Sequence, residues 1–356
     1  MARTKQTTRQ NSLVIVCEGS DTENQYFIDM ALYVQEKRPD SFDNILVLPT
    51  KKEKAGKNPN RQHLVRKMQN PSAAQWQYYL AKESCQADYD TYRSQPTRYV
   101  REAQLLMREG GYTEGWAVYD NDGFPDHDNA RKVAAGTPGL HIAYSSISFE
   151  EWILCHFERN DTRFLRSECS ANCGTGKQGD CHGSECVAGR IRERRYISDW
   201  KKSKPKVFEH YTLPLLDHAL LNAAWLRSLE PTVAIPLRNP YTDVDALVMR
   251  LLGQEKEVLW IREGVQFQMF GGSLTVGFSA QGITITHHGQ NTVVITIDAL
   301  QYCDERGNPV QSALQRNIIL DASNRNAVIS SHPKAKLLLF RSIERGVRKE
   351  VYVELK

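Results

Sequence analysis

The sequence predicts an α/β fold: a parallel sheet flanked by helices, interrupted by a Cys-rich insert and followed by a C-terminal mostly-β domain. Three observations lead there. Short, unbroken apolar runs alternate with helical periodicity up to about residue 157. Four of the eight cysteines crowd between Cys169 and Cys186. From Val258 onward, strand-like runs are separated by turn signals such as QG, GQN and RGNP.

The chain has 356 residues, 40% of them hydrophobic and 25% charged, the balance of a globular protein able to bury a core without disulfide staples. Length alone suggests two or three domains. The net charge of +4 permits a polyanionic partner without requiring one. No apolar run approaches the roughly 20 residues that span a bilayer, and the basic start has no apolar signal core. Clustered cysteines behind such a start read as a metal site in reducing cytoplasm rather than as an extracellular framework.

The domain reading is a basic flexible tail (1–12), an α/β domain (13–253) with the insert at 167–189, and a mostly-β domain (258–356). Residues 2–7, ARTKQT, match the start of the eukaryotic histone tail that methyl-lysine readers bind; a short basic leader on a nucleic-acid enzyme explains them as well. Leu13 to Cys17 is apolar throughout, as in a parallel strand buried on both faces, and ends at Glu18-Gly19. Ser20 or Asp21 then caps a helix from Thr22 to Gln35 with Tyr26, Phe27, Met30 and Tyr33 inward. NILVLP (44–49) is the second strand, 72–109 hold two amphipathic helices, and Trp116 to Tyr119 is the third strand. A helix over 128–135, a strand over 140–144 and a helix over 149–157 capped by Ser148 complete the alternation. A basic helical stretch (190–206) and helices over 211–228 and 241–253 follow.

In parallel sheets, chemistry sits beyond the carboxyl ends of the strands. Glu18 ends the first strand, and Asp120-Asn121-Asp122 follows the third. Both aspartates share a face if the backbone stays extended there. Three converging carboxylates repel one another, and Mg²⁺ or Mn²⁺, which take oxygen ligands and can hold phosphates at the same time, relieve that repulsion. Such an arrangement suits phosphodiester hydrolysis. Alternatively, Glu18 caps a helix and the aspartates fill a turn.

VIVCEGSDTENQYF (14–27), WAVYDNDG (116–123) and IAYSSISFEEWILCHF (142–157) together resemble the three hallmark blocks of RloB-like proteins, Toprim-type proteins associated with bacterial restriction and abortive-infection loci. The resemblance covers roughly 12–253 and implies a Toprim-like sheet. It also implies a metal-dependent endonuclease, cleaving DNA or RNA (tRNA included), in antiviral defence. By it, Glu18 matches the family glutamate and Asp120 and Asp122 its metal-binding pair, with Glu150 as an additional ligand or helix cap and Glu23 adding charge nearby. A linked ATPase or another defence protein, and an oligomer, are the partners that such a locus suggests. The rival reading is a non-catalytic sensor or assembly module that binds nucleic acid, or a partner through the β domain.

Cys169, Cys173, Cys181 and Cys186 form C-x3-C-x7-C-x4-C, a set suited to structural Zn²⁺ with no open position for catalysis. Free thiols in a loop are the alternative. Two basic stretches are candidates for nucleic-acid contact: one includes Lys51, Lys52 and Arg61, the other Arg190, Arg194, Arg195, Lys201 and Lys202, interleaved with Tyr196 and Trp200 that could stack on bases. The second abuts the insert and is the better clamp. His127 reads as a surface histidine or a proton shuttle, and His287-His288 as a pair without further ligands. No P-loop, GxGxxG or GxSxG is present, so ATPase, dinucleotide oxidoreductase and α/β-hydrolase readings have no support.

Overall fold

A computed structural model describes residues 11–19, 21–48, 96–121, 123, 126–167, 185–197, 199–201, 204–279 and 281–355. The first of the two helices expected over 72–109, the basic loop with Lys51, Lys52 and Arg61, Asp122, Lys202, and Cys169, Cys173 and Cys181 lie outside them. The chain divides into two compact units, one of residues 1–216 and 232–253, the other of residues 217–231 and 254–356.

The first unit is α/β. Strand β1 (Ser12–Cys17) leads to helix α1 (Thr22–Lys37) and β2 (Asn44–Leu48). Helix α2 (Thr97–Gly110) precedes β3 (Glu114–Asp120), α3 (His127–Ala135), β4 (Leu140–Ser146) and α4 (Glu150–Cys155). Ser12, read as part of the tail, is the first residue of β1 and is buried. The sheet runs β2-β1-β3-β4-β5, parallel except for the two-residue β5 (Tyr241–Thr242), which pairs antiparallel with β4. That short strand stands where a helix start was expected, because an antiparallel edge satisfies the end of β4; the helix that follows begins only at Asp245.

Every residue of β1 and β2 is buried, which requires cover on both faces. Helix α1 packs with α7 (Asp245–Leu252), and α2 packs with α3. On α2, Tyr99, Val100, Ala103 and Leu106 recur at helical spacing and are buried against the sheet. On α1, Val34 is buried where Tyr33 was expected, and Tyr33 is half-buried with its ring edge-on to Phe208.

In the basic stretch expected to be helical over 190–206, the helix is shorter than expected. Helix α5 (Val187–Glu193) stops at Arg194, and Arg195 takes a positive φ of 54° that no continuing helix allows. Residues Phe208–Thr212 form one π-helical turn before α6 (Leu216–Leu229), which after its first residue belongs to the second unit.

The second unit is otherwise β. Five strands run β12 (Pro309–Ser312), β11 (Leu300–Cys303), β15 (Leu337–Glu344), β16 (Val347–Glu354) and β6 (Lys256–Ile261). Four more run β14 (Asn326–Ile329), β9 (Gly282–His287), β8 (Gly272–Ser279) and β7 (Phe267–Met269). A third pair joins β10 (Val293–Ile295) to β13 (Ile318–Leu320). Alternate residues of these strands, among them Leu274, Val276, Ile285, Phe340 and Val351, meet in one apolar core. The RGNP signal is a turn after β11: Gly307 has φ 81°, and Asp304 Oδ1 accepts the N–H groups of Arg306 and Asn308.

Candidate functional site

The strand order decides where a site can form. The chain passes from β1 outward to β2, then returns to the other side of β1 as β3. A crevice opens at such a switch point, outside the carboxyl ends of the two strands. Glu18 follows β1, Asp120 closes β3, and parallel pairing sets Cys17 opposite Val118. The Glu18 N–H donates to Val118 O at 2.8 Å, and Glu18 Oε2 accepts the Asp120 N–H at 2.9 Å. The side chain of one strand end is thereby tied to the backbone of the other.

Two further carboxylates come from helix starts. Glu23, in the first turn of α1, is buried and accepts the Gly19 N–H on Oε1 at 2.7 Å. A Cβ on Gly19 would lie 2.9 Å from that oxygen, so the glycine makes room for Glu23. Glu150, the first residue of α4, is also buried. Its Oε1 accepts Thr22 Oγ1 at 3.1 Å and its Oε2 accepts Ser148 Oγ at 2.7 Å. Ser148 was expected to cap the helix; its hydroxyl instead serves Glu150, since a buried carboxylate is the stronger acceptor. The sequence marked Thr22 only as a helix start and Ser148 only as a cap; their hydroxyls beside buried Glu150 give them this role.

Burial pushes the Asp120 carboxyl well above its usual range, and the charges of Glu23, Glu150 and Glu18 push it further; the Phe149 N–H, which donates to it, pulls the other way. Glu151, next along α4, is raised well above its ordinary value too, first by burial and then by Glu150 and Glu158. The donors are hard oxygens, and like charge drives the central one toward its neutral form. In chemistry this set fits Mg²⁺ or Mn²⁺. Among the described residues no group of three ligand side chains is closed around a single point.

The other candidates are placed differently. Arg190 is bound to Glu158 by two bonds, Nε to Oε1 at 2.7 Å and Nη2 to Oε2 at 3.3 Å. Tyr196 donates to the same carboxylate at 2.7 Å and stacks on Phe157 at 5.0 Å, and Trp200 is buried. Both aromatic rings are thus packed into the fold, Tyr196 half-buried and Trp200 buried. Arg194, Arg195 and Lys201 are exposed. Cys186 is buried at the start of α5, and its Sγ accepts the Gly189 N–H at 3.1 Å. His127 is buried rather than on the surface. His287 and His288 part company: the first is buried with Nε2 at 2.8 Å from Asn291 O, the second meets Thr275 Oγ1 at 2.9 Å.

With this geometry in view, comparison with known proteins places the chain. A model of the RloB-like protein family matches residues 13–251. The chain belongs to the RloB-like family. No curated protein and no solved structure matches it. The matched span contains Glu18, Glu23, Asp120, Asp122 and Glu150, together with all of the five-stranded sheet but Ser12. No helix among the described residues is long and apolar enough to cross a membrane.

Proposed function

We propose that this RloB-like chain is a Toprim-type, Mg²⁺- or Mn²⁺-dependent endonuclease that hydrolyses phosphodiesters of DNA or RNA in antiviral defence. One observation carries the reading: Asp120 sits at the switch point of a parallel sheet, its charge opposed by Glu18, Glu23 and Glu150. A protein keeps such repulsion where function uses it. Asp120, Glu18 and Asp122 would hold the metal, with Glu150 assisting. When bound, the cation would activate water and offset charge on the phosphate. The chain's own residues do the rest. Glu18 is held in place by the Asp120 N–H, and Glu150 by Thr22 and Ser148, so the carboxylates need little reordering at the moment of reaction. Arg194, Arg195 and Lys201, exposed in the basic stretch, would attract the polyanion.

The test is cleavage of labelled tRNA, single-stranded RNA and plasmid DNA with Mg²⁺, Mn²⁺ or EDTA. The native chain is expected to cut with metal, and the Asp120→Ala, Asp122→Ala double variant to lose at least about 100-fold in rate. Metal-independent cutting, or cutting that survives in the variant, overturns the reading. A second reading, a non-catalytic sensor, is favoured by one observation: both Glu150 oxygens and one Glu23 oxygen already have donors. Nucleic-acid binding without cleavage under any of these metals would select it. The structural-zinc proposal rests on the four-cysteine spacing. One zinc per chain by elemental analysis, lost in Cys186→Ala, supports it; zinc-free protein removes it.

A further inference from the structure

Beside the carboxylates lies a second polar cluster that the chemistry above leaves unused. Tyr119 on β3 and Tyr144 on β4 are register partners, so both rise from the same face of the sheet, with ring centroids 5.7 Å apart. Helix α3 packs against β4 and presents His127 and Arg131, one turn apart on one helix face. The imidazole lies 5.8 Å from the Tyr119 ring and 5.5 Å from the Tyr144 ring. The Arg131 guanidinium carbon is 5.4 Å from the Tyr144 centroid. Tyr119 and His127 are only 1% and 5% exposed.

Among the described residues, five buried atoms here have no hydrogen-bond partner: Tyr119 Oη, His127 Nδ1 and Nε2, and Arg131 Nε and Nη2. Proteins rarely leave such groups dry, and five on three residues gathered around Tyr144 call for a ligand. The set is biased toward donation. A guanidinium only donates, and a phenol and a neutral imidazole each bring one hydrogen. Burial and the nearby Arg131 keep His127 neutral, against the opposite pull of Asp128 and Asp126. Nε with one Nη is the edge by which arginine holds two oxygens of one anion. The first turn of α3 adds donors: Asp126, at its N-cap, makes no side-chain cap, because its Oδ2 accepts Thr97 Oγ1 at 2.6 Å. Arg131 is half-buried and gives the cluster its route to solvent.

We propose that Arg131, His127 and Tyr119 form a phosphate-binding subsite that holds a phosphoryl group of the polynucleotide beside the carboxylate cluster. The source of the phosphate rests on the nuclease reading; the donor set does not. Successive residues of a strand point to opposite faces, so Tyr119 flanks the sheet's carboxyl edge from the side opposite Asp120.

Calorimetric titration of the full chain in EDTA tests this, with inorganic phosphate and with a dinucleotide bearing either a 5′-phosphate or a 5′-hydroxyl. Phosphate binds the native chain; Arg131→Gln weakens it about ten-fold, Tyr119→Phe about three-fold, and Arg131→Lys recovers part of the loss. Tyr119→Phe removes one hydroxyl and leaves the ring, so it reports on binding even if the Arg131 variants lose their fold. Tighter binding of the 5′-phosphorylated dinucleotide assigns the subsite to strand ends, and equal binding assigns it to internal diesters. A native chain that binds no phosphate, or variants that bind as the native chain does, overturns the proposal and leaves ordered water as the partner of these donors. Because no metal is present, the titration is independent of cutting. Weakened binding in the variants of a chain that never cleaves would sustain the subsite while the nuclease reading falls.

Discussion

Asp120, half-buried in the first unit, and Glu350, buried in the second, are carboxylates held in opposite ways. Glu350 is 1% exposed in the middle of β16. Arg348 Nη2 and Arg341 Nε reach its Oε1 at 2.7 and 3.1 Å, Lys256 Nζ reaches its Oε2 at 3.1 Å, and Tyr352 donates to Oε2 at 3.2 Å. Burial alone would raise its pKa, but the charges of Lys256, Arg348 and Arg341 outweigh it and hold the carboxyl below the usual range. Around Asp120 the nearby charges are carboxylates, and burial and repulsion act in the same direction. One site is electrostatically complete within its own chain. Around the other, nothing among the described residues offsets the repulsion, and that asymmetry is what the proposed metal site rests on.

The comparison can be broken most severely at Glu350. Glu350→Ala leaves Lys256 and two arginines facing each other without their common partner, and is expected to cost about 3–5 kcal/mol, read by urea unfolding. A loss under about 1 kcal/mol would mean that solvent already screens the cluster. The reverse sign is expected at Asp120. Asp120→Asn removes a repelled charge and should stabilise the chain by about 1 kcal/mol, a rise of roughly 2–4 °C in melting temperature, while abolishing metal-dependent cutting.

Acid titration sharpens the contrast. Glu350 has a depressed folded pKa, so its contribution is complete above the unfolded glutamate value near about 4.3 and is lost as pH falls through the lower folded value. Asp120 has a raised one, so its destabilising effect is present at neutral pH and is relieved as pH falls toward the unfolded aspartate value near about 3.9. The advantage of Asp120→Asn in melting temperature should therefore shrink steadily on acidification from pH 7. An advantage that grows on acidification would refute the raised pKa. The smallest effect is expected at Gly19→Ala, where the new methyl displaces the Glu23 carboxylate, costing roughly 1 kcal/mol. Its crystal structure or Asp120 titration would show Glu23 moved; an unmoved Glu23 would mean the backbone yields instead.

Much of the first unit was legible because its strands are apolar on both faces. Leu13 to Cys17 and Ile45 to Leu48 have no polar residue to blur them, and the expected strands lie within one or two residues of the observed ones. Charge patterns said least where packing decides a side chain's partners. Arg190, read as part of a polyanion clamp, also pairs with Glu158, 32 residues away. His127 reads as a surface residue among aspartates until Tyr119 and Tyr144 close over it. Neither partner is within a helical turn in sequence, so no local pattern could reveal it.

The order of apolar runs and helical periods, which follows from which residues avoid water, was enough to determine the α/β class, the mostly-β tail and the placement of Glu18 and Asp120 at strand ends. The family blocks, too, are a property of the sequence alone. Only the tertiary structure decided that β3 pairs with β1 rather than with β2, bringing those two strand ends together, and that Glu23 and Glu150 crowd the same crevice. The reason is physical: burial of apolar surface constrains each segment locally, whereas the pKa and partners of a carboxylate depend on charges a few ångströms away that the chain delivers from more than 100 residues distant.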